Sequence, residues 1–125
     1  MDEREIRRVF SSRSRVLSLI TLGIKQIRAE ELENAIKSGF DPSLLIFNHL
    51  SGYMNNPILK PIIRAGLRKW WGEIESVLTD ARKVYGILTE NRPDLKRILD
   101  TERGRRWLNW AVYQSYSNLY RYTWL

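Results

Sequence analysis

Apolar residues in the middle of the chain recur in alternating steps of four and three, which is the spacing of one face of an α-helix. Asn56 followed by Pro57 is typical of a helix start, and Pro93 is typical of a stop. The pattern therefore predicts one long central helix, about 57–91, whose apolar stripe packs lengthwise against other helices. The stripe consists of Ile63, Leu67, Trp70, Ile74, Val77, Ala81, Val84 and Leu88.

Helical periodicity also precedes this segment. Residues 16–38 predict a first substantial helix, with a kink near Gly23 or Ala29 as one alternative. Gly39 suits the left-handed cap that ends many helices, so the helix is expected to stop there.

A short helix that is apolar nearly all round is expected next. It starts at Asp41-Pro42, a helix-start pair, and runs to Leu50. His49, the only histidine of the chain, lies in this run. A single histidine among apolar residues favours a buried structural role over catalysis or metal binding.

The last predicted helix covers residues 94–122, with a break near Gly104 as an alternative, and is rich in aromatic residues. Apolar side chains cover much of its circumference, which indicates burial on more than one side. Because chain ends usually fray, we expect a second subunit to cover part of it. The interface candidates are Trp107, Trp110, Tyr113, Tyr116, Tyr120, Tyr122 and Trp124. Trp107 and Trp110 are expected to anchor the helix to its own subunit, and the residues from Tyr116 onward to contact the next subunit.

The fold class that follows is all-α, a bundle of four to five helices around the long one, because no stretch shows the alternation typical of strands. The predicted organisation is a basic N-terminal arm, residues 1–15, and a single helical domain, residues 16–125. The serines at 11, 12 and 14 interrupt the arm, which is expected to be extended or to form a short helix, Glu3–Phe10, followed by a break.

Charge gives the first indication of function. The chain carries 21 Lys and Arg against 14 Asp and Glu, a net charge of +7. Such an excess favours a polyanionic partner, nucleic acid first and an anionic membrane surface second. With no cysteine in the chain, disulfides and thiolate metal sites are excluded.

The positive charge is concentrated in three clusters. Arginine predominates in them, and its planar guanidinium can bind a phosphate through two hydrogen bonds. Positions 60, 64 and 68 are helical neighbours about 6 Å apart, close to the phosphate spacing along a strand. The predicted nucleic-acid-binding residues are Arg4, Arg7, Arg8, Arg13 and Arg15 in the first cluster, Lys60, Arg64, Arg68 and Lys69 in the second, and Arg103, Arg105 and Arg106 in the third.

Catalytic signatures are missing from the sequence. No base is available for a nucleophile, since His49 lies in an apolar run, and no glycine stands in a phosphate-binding loop. The acidic groups at 30–33 and at Glu73 and Glu75 have the pattern of solvated helix faces. We therefore expect no enzyme, no cofactor, no metal and no small-molecule substrate.

Localisation follows from two further features. The N-terminus is charged and lacks the apolar run of a signal peptide. The longest apolar-rich stretch, residues 16–24, is too short to span a bilayer. The protein is expected to be made and kept in the cytoplasm, or packaged from there, with membrane contact only indirect.

A small, basic, all-helical chain with an arginine-bearing arm, a long amphipathic helix and an aromatic C-terminal helix resembles the coat proteins of filamentous archaeal DNA viruses. The resemblance is of overall character across the chain and rests on no diagnostic motif. It implies a nucleocapsid subunit that wraps double-stranded DNA through phosphate contacts, holds it in an A-like form and polymerises with itself or a related coat subunit into a filament.

Three alternatives remain open. One is a small helical subunit of an RNA-guided or replication complex, which needs a basic surface but no filament. Another is a helix-turn-helix regulator, although the segment 41–71 has too apolar a first helix and too long a second one. The last is a helical bundle that binds membrane surfaces or other proteins without a preference for nucleic acid.

Overall fold

The computed structural model describes residues 2–39, 50 and 52–125, with the side chains of 22–25 excepted. All regular structure in these residues is helical, which confirms the all-α prediction, although they form eight helices where four to five were predicted. In chain order the helices are α1 (Glu3–Val9), α2 (Arg13–Lys25), α3 (Ala29–Ser38), α4 (Lys60–Lys69), α5 (Trp71–Leu78), α6 (Ala81–Thr89), α7 (Pro93–Leu99) and α8 (Glu102–Trp124).

The C-terminal helix α8, 23 residues long, is the element on which the others are arranged. It packs against α3, α4, α5, α6 and α7, while α1 packs on α4 and α2 packs on α5 and α6. One face of α8 is buried among these helices, and its buried apolar residues are Trp107, Leu108, Ala111, Val112 and Leu119. The long C-terminal helix therefore has the central position that the sequence pattern gave to residues 57–91.

The single helix predicted over 57–91 is wrong, because the chain forms α4, α5 and α6 in its place. The first break is at Trp70, whose indole donates a hydrogen bond to the carbonyl of Phe10 at 2.7 Å. The second precedes Asp80, which caps α6 by accepting a hydrogen bond from the Arg82 amide at 2.9 Å. These bends let three short helices pack around α8 where a straight rod would contact it along one line only.

The apolar stripe itself is placed correctly despite the breaks. Ile63, Leu67, Ile74, Val84 and Leu88 are all buried. The predicted starting signal is also present, because the Asn56 side chain accepts hydrogen bonds from the backbone of residues 58 and 59 ahead of α4. The predicted stop is also close, because α6 ends at Thr89, a few residues before Pro93, and Pro93 itself lies in the first turn of α7.

The helix predicted over 16–38 is divided into α2 and α3 by residues 26–28. The break lies between the two expected kink positions, Gly23 and Ala29. Gly39 has a φ of 65° and caps α3 as predicted. The start at Asp41-Pro42 and the helix through His49 lie outside the described residues, whereas Leu50 is fully buried.

The N-terminal residues pack on the protein. Of the two alternatives for them, the short helix with a break after it is confirmed as α1, and the extended arm is wrong. Ile6 is fully buried and Phe10 is 6% exposed. The Phe10 ring lies directly over Gly66 of α4, where a Cβ would come within 2.3 Å of it. A glycine at this point of α4 is thus what allows α1 to dock.

Candidate nucleic-acid interface

Three cations of the second basic cluster line one surface groove on α4. The groove is formed by Lys60, Arg64 and Arg68 together with Pro57, Pro61 and Ala65, and no acidic side chain lines it. None of the three cations has an ion pair within the described part of the chain. Their spacing along α4 therefore presents a row of uncompensated positive charge.

Aromatic side chains hold the cations at the ends of this row. Lys60 lies 5.9 Å from the ring centre of Tyr122, and the Arg68 guanidinium lies 5.6 Å from that of Trp124. The Arg68 Nε also donates a hydrogen bond to the Thr123 carbonyl at 2.8 Å. Contacts of this kind fix the direction of a long side chain and reduce the entropy lost when it binds an anion.

The structure brings the second cluster close to part of the first. The Lys69 ammonium lies 5.3 Å from the Trp70 ring, and the Trp70 indole bonds to Phe10 in the turn between α1 and α2. Arg8 is in the last turn of α1 and Arg13 begins α2, so both flank that turn, and both are exposed. Lys69 of the second cluster and Arg8 and Arg13 of the first cluster are thus linked through Trp70 and Phe10.

The third cluster lies apart from the α4 groove. Arg103, Arg105 and Arg106 occupy the first turns of α8, whereas Arg68 contacts Thr123 near the other end of that helix. The rise of an α-helix separates Arg105 from Thr123 by about 27 Å along the axis. Within one chain the second and third clusters therefore lie near opposite ends of α8.

Several predicted basic residues are partly compensated by acidic neighbours. Arg7 pairs with Glu3 at 3.0 Å, and Arg106 pairs with Glu102 at 2.5 Å, both on exposed helix faces. Exposed pairs of this type contribute little to stability and break easily. Because the cations of the α4 row have no such pairs in the described part of the chain, that row is the stronger candidate for contact with an anion.

The predicted interface residues divide into an inward and an outward set. Trp107 is 7% exposed and anchors α8 in its own subunit, as expected. Tyr116 and Tyr122 are half-buried, and their hydroxyls donate to the Glu75 carboxylate and the Met54 carbonyl, both at 2.7 Å. The sequence predicted contacts with another subunit for these two tyrosines, but their hydroxyls form hydrogen bonds within the chain.

Trp110, Tyr113, Tyr120 and Trp124 form the outward set, so Trp110 is exposed and is not buried beside Trp107 as expected. Their side chains are 38%, 66%, 42% and 42% exposed. The rings of Tyr120 and Trp124 lie 5.9 and 6.2 Å from that of Trp71, centre to centre. The C-terminal part of the outward set therefore packs against α5. No role was predicted for Trp71 from the sequence, although the adjacent tryptophans at 70 and 71 were an available signal.

Glu75 is the polar centre of this aromatic contact. It accepts hydrogen bonds from the Trp71 indole at 3.2 Å and from the Tyr116 hydroxyl at 2.7 Å. The hydrogen bond to Glu75 raises the pKa of Tyr116 above its ordinary value of 10.0, and burial and the negative charge of Glu75 act in the same direction.

Because the pKa of Tyr116 is higher in the folded than in the unfolded state, the stabilisation from this pair is complete below about pH 10 and is lost as the pH rises through the folded-state pKa. Tyr116→Phe should therefore be less stable than the natural chain near pH 8, with the difference shrinking above about pH 10. Urea unfolding across this range measures it. Tyr113→Phe is the control and should show no such change, because Tyr113 is 66% exposed. A difference for Tyr116→Phe that stays constant with pH would contradict the assignment.

Within the described ranges, His, Asp and Glu side chains form no group of three or more able to hold a metal ion. None of the helices in that part of the chain is both long and apolar enough to cross a membrane. Comparison of the chain with family models, with curated proteins and with solved structures gives no match. The functional argument therefore depends on the geometry and charge described above.

Proposed function

We propose that this protein is a non-enzymatic structural subunit that binds nucleic acid, with double-stranded DNA favoured, through phosphate contacts, and that it self-associates on the bound strand. The observation that carries the proposal is the groove on α4, which three cations at helical spacing line without an acidic side chain among them. Contacts of this type neutralise phosphates and do not distinguish bases.

Arg64 gives this proposal a further support. It is half-buried, and its Nε has no hydrogen-bond partner among the described residues. A buried donor without a partner destabilises the free protein. If the guanidinium turned outward onto a phosphate, that cost would be removed and two hydrogen bonds to the anion would be gained.

The proposal is tested by the salt dependence of binding. If each subunit neutralises about five to eight phosphates, a plot of log K against log salt should have a slope of roughly −5 to −7. Fluorescence anisotropy on two duplexes of unrelated sequence measures both the slope and the expected lack of sequence preference. A flat salt dependence, or strong discrimination between the duplexes, would contradict the proposal.

Anionic lipid vesicles serve as the control for the membrane-surface alternative. The side chain of Ile58 is 72% exposed next to the basic groove, and an exposed apolar residue among cations also suits a lipid surface. Binding to the vesicles but not to duplex DNA at equal salt would favour that alternative.

Assembly on the nucleic acid is the second part of the proposal and separates a coat subunit from a small subunit of another complex. The exposed aromatic face of α8 supports it, since large exposed apolar patches mark protein contacts. In a coat, electron micrographs of the protein with linear duplexes should show filaments whose length follows that of the DNA. Protein that remains monomeric on saturating DNA would leave only the nucleic-acid-binding role.

A further inference from the structure

The exposed face of α8 is one stripe from end to end. Residues 103, 106, 110, 113, 117, 120 and 124 follow each other in steps of three and four, the spacing of a helix that packs against another helix. Two arginines lie at its start, four aromatic residues follow, and Ser117 interrupts them. All of these residues are exposed except Ser117, which is half-buried.

We infer that this stripe pairs with the same stripe of a second copy, antiparallel, about a two-fold axis near Tyr113. In that register, the residue numbers of two side chains that face each other across the interface add up to about 227. Trp110 then faces Ser117, Arg103 faces Trp124, and Tyr113 lies beside its own counterpart. This deepens the self-association part of the proposed function and rests on it.

Shape and charge favour the antiparallel over the parallel arrangement. Antiparallel pairing sets the largest side chain of the stripe against the smallest and sets arginines over aromatic rings, an attractive cation–π contact. Parallel pairing would place Trp110 on Trp110 and Arg106 on Arg106. Only the antiparallel stripe is complementary to itself, which a two-fold interface requires.

The pairing also joins the two basic regions that one chain keeps apart. Arg103 and Arg106 of one copy come next to Trp124 of the other copy, over which Arg68 already lies. Arg121, exposed beside the stripe, adds a further cation at the same place. Each end of the dimer thus extends the α4 groove with the third basic cluster, so that a phosphate strand can continue from one copy to the other.

Two consequences for affinity follow. The stripe is about 32 Å long and about 10–12 Å wide, on the order of 350 Å² per copy, well below the roughly 800 Å² of a standard interface. The cations gathered at each end also repel one another. The free chain should therefore pair weakly, and either high salt or a bound polyanion should strengthen the pairing by screening or neutralising that charge.

Single cysteines test the register, since the natural chain has none. Under an added thiol oxidant, Tyr113→Cys should form disulfide dimers at least about ten times faster than Gly86→Cys, an exposed position of α6 off the stripe. Ser117→Cys alone should be slow, because its two copies would lie about 10 Å apart along the axes. A mixture of Trp110→Cys and Ser117→Cys should give the mixed dimer.

The measurement is made first without nucleic acid, at about 1 M salt, where charges farther apart than roughly 3 Å are screened. Its outcome then does not depend on whether the protein binds DNA, which the anisotropy titration decides separately. At low salt, a short duplex should accelerate the cross-linking of Tyr113→Cys.

Three results would overturn the inference. Cross-linking of Tyr113→Cys no faster than that of Gly86→Cys at high salt would show that the stripe does not pair. Rapid cross-linking of Ser117→Cys alone would show a parallel arrangement. Slower cross-linking of Tyr113→Cys with single-stranded oligonucleotide would show that the aromatic residues stack on unpaired bases instead.

Discussion

Replacing both Arg64 and Arg68 by alanine should weaken binding to duplex DNA about 60-fold at roughly 0.1 M salt. Each phosphate contact contributes about 0.9 to the slope of log K against log salt, so two lost contacts change the slope by about 1.8. Because 0.1 M lies one logarithmic unit below 1 M, log K at 0.1 M falls by about the same amount. The slope itself should become shallower by about the same amount. Anisotropy titrations of the natural chain and the variant over a range of salt measure both effects.

The matched control for this pair is Arg82→Ala with Lys83→Ala, which removes the same charge from the exposed side of α6. A general effect of net charge would weaken binding equally in both variants, whereas a groove on α4 predicts a much smaller loss for the control. Equal losses would contradict the assignment of the groove.

Stability must be measured alongside affinity, because Arg68 also holds the end of α8. Loss of its hydrogen bond to Thr123 and of its stacking on Trp124 should cost about 1–2 kcal/mol. Leu67→Ala, which truncates a fully buried side chain of the same helix, should cost about 2–5 kcal/mol. A double arginine variant as unstable as Leu67→Ala would mean that the arginines belong to the core.

Gly104→Ala should lower the free energy of unfolding by about 3 kcal/mol, or the melting temperature by about 10 °C. A Cβ at Gly104 would lie 2.3 Å from the carbonyl oxygen of Ile98 and 2.9 Å from the Cα of Leu99. Both are backbone atoms of α7, so neither can turn aside as a side chain would. The substitution must push α7 away from the start of α8.

Gly86→Ala is the control for that substitution. Gly86 lies on the exposed side of α6, and a Cβ there would have no atom within 4 Å. Alanine should therefore stabilise the protein by about 0.5–1 kcal/mol through its higher helix propensity. Thermal unfolding followed by circular dichroism compares the two variants. A destabilising Gly86→Ala or a neutral Gly104→Ala would contradict the packing described for α6 to α8.

Periodicity predicted most of the buried residues, because each short helix still buries one face. Next to the second break it failed, since Val77 of the stripe is half-buried and Leu78 is fully buried. The breaks were harder to predict. Asp80 offered a capping signal, whereas Trp70, at the other break, donates a hydrogen bond to Phe10, 60 residues earlier in the chain. Such a contact leaves no local pattern in the sequence.

In the candidate site, too, some features could be predicted from the sequence and others could not. The cations of α4 follow from their spacing alone, since residues four apart on a helix share a side. That Tyr122 and Trp124 lie against Lys60 and Arg68 could not be predicted, because it depends on how α8 crosses α4. For the same reason the sequence grouped Tyr116 with Tyr120, although only the first donates a hydrogen bond to Glu75.

The central position of α8 has a consequence for synthesis. The ribosome makes α8 after α3 to α7, although all five pack against it. While α8 has not yet emerged, these helices lack the element on which they are arranged, so the core cannot close before α8 is made. A chain terminated before α8 would lose the buried residues Trp107, Leu108 and Leu119 together with the exposed aromatic residues of the same helix.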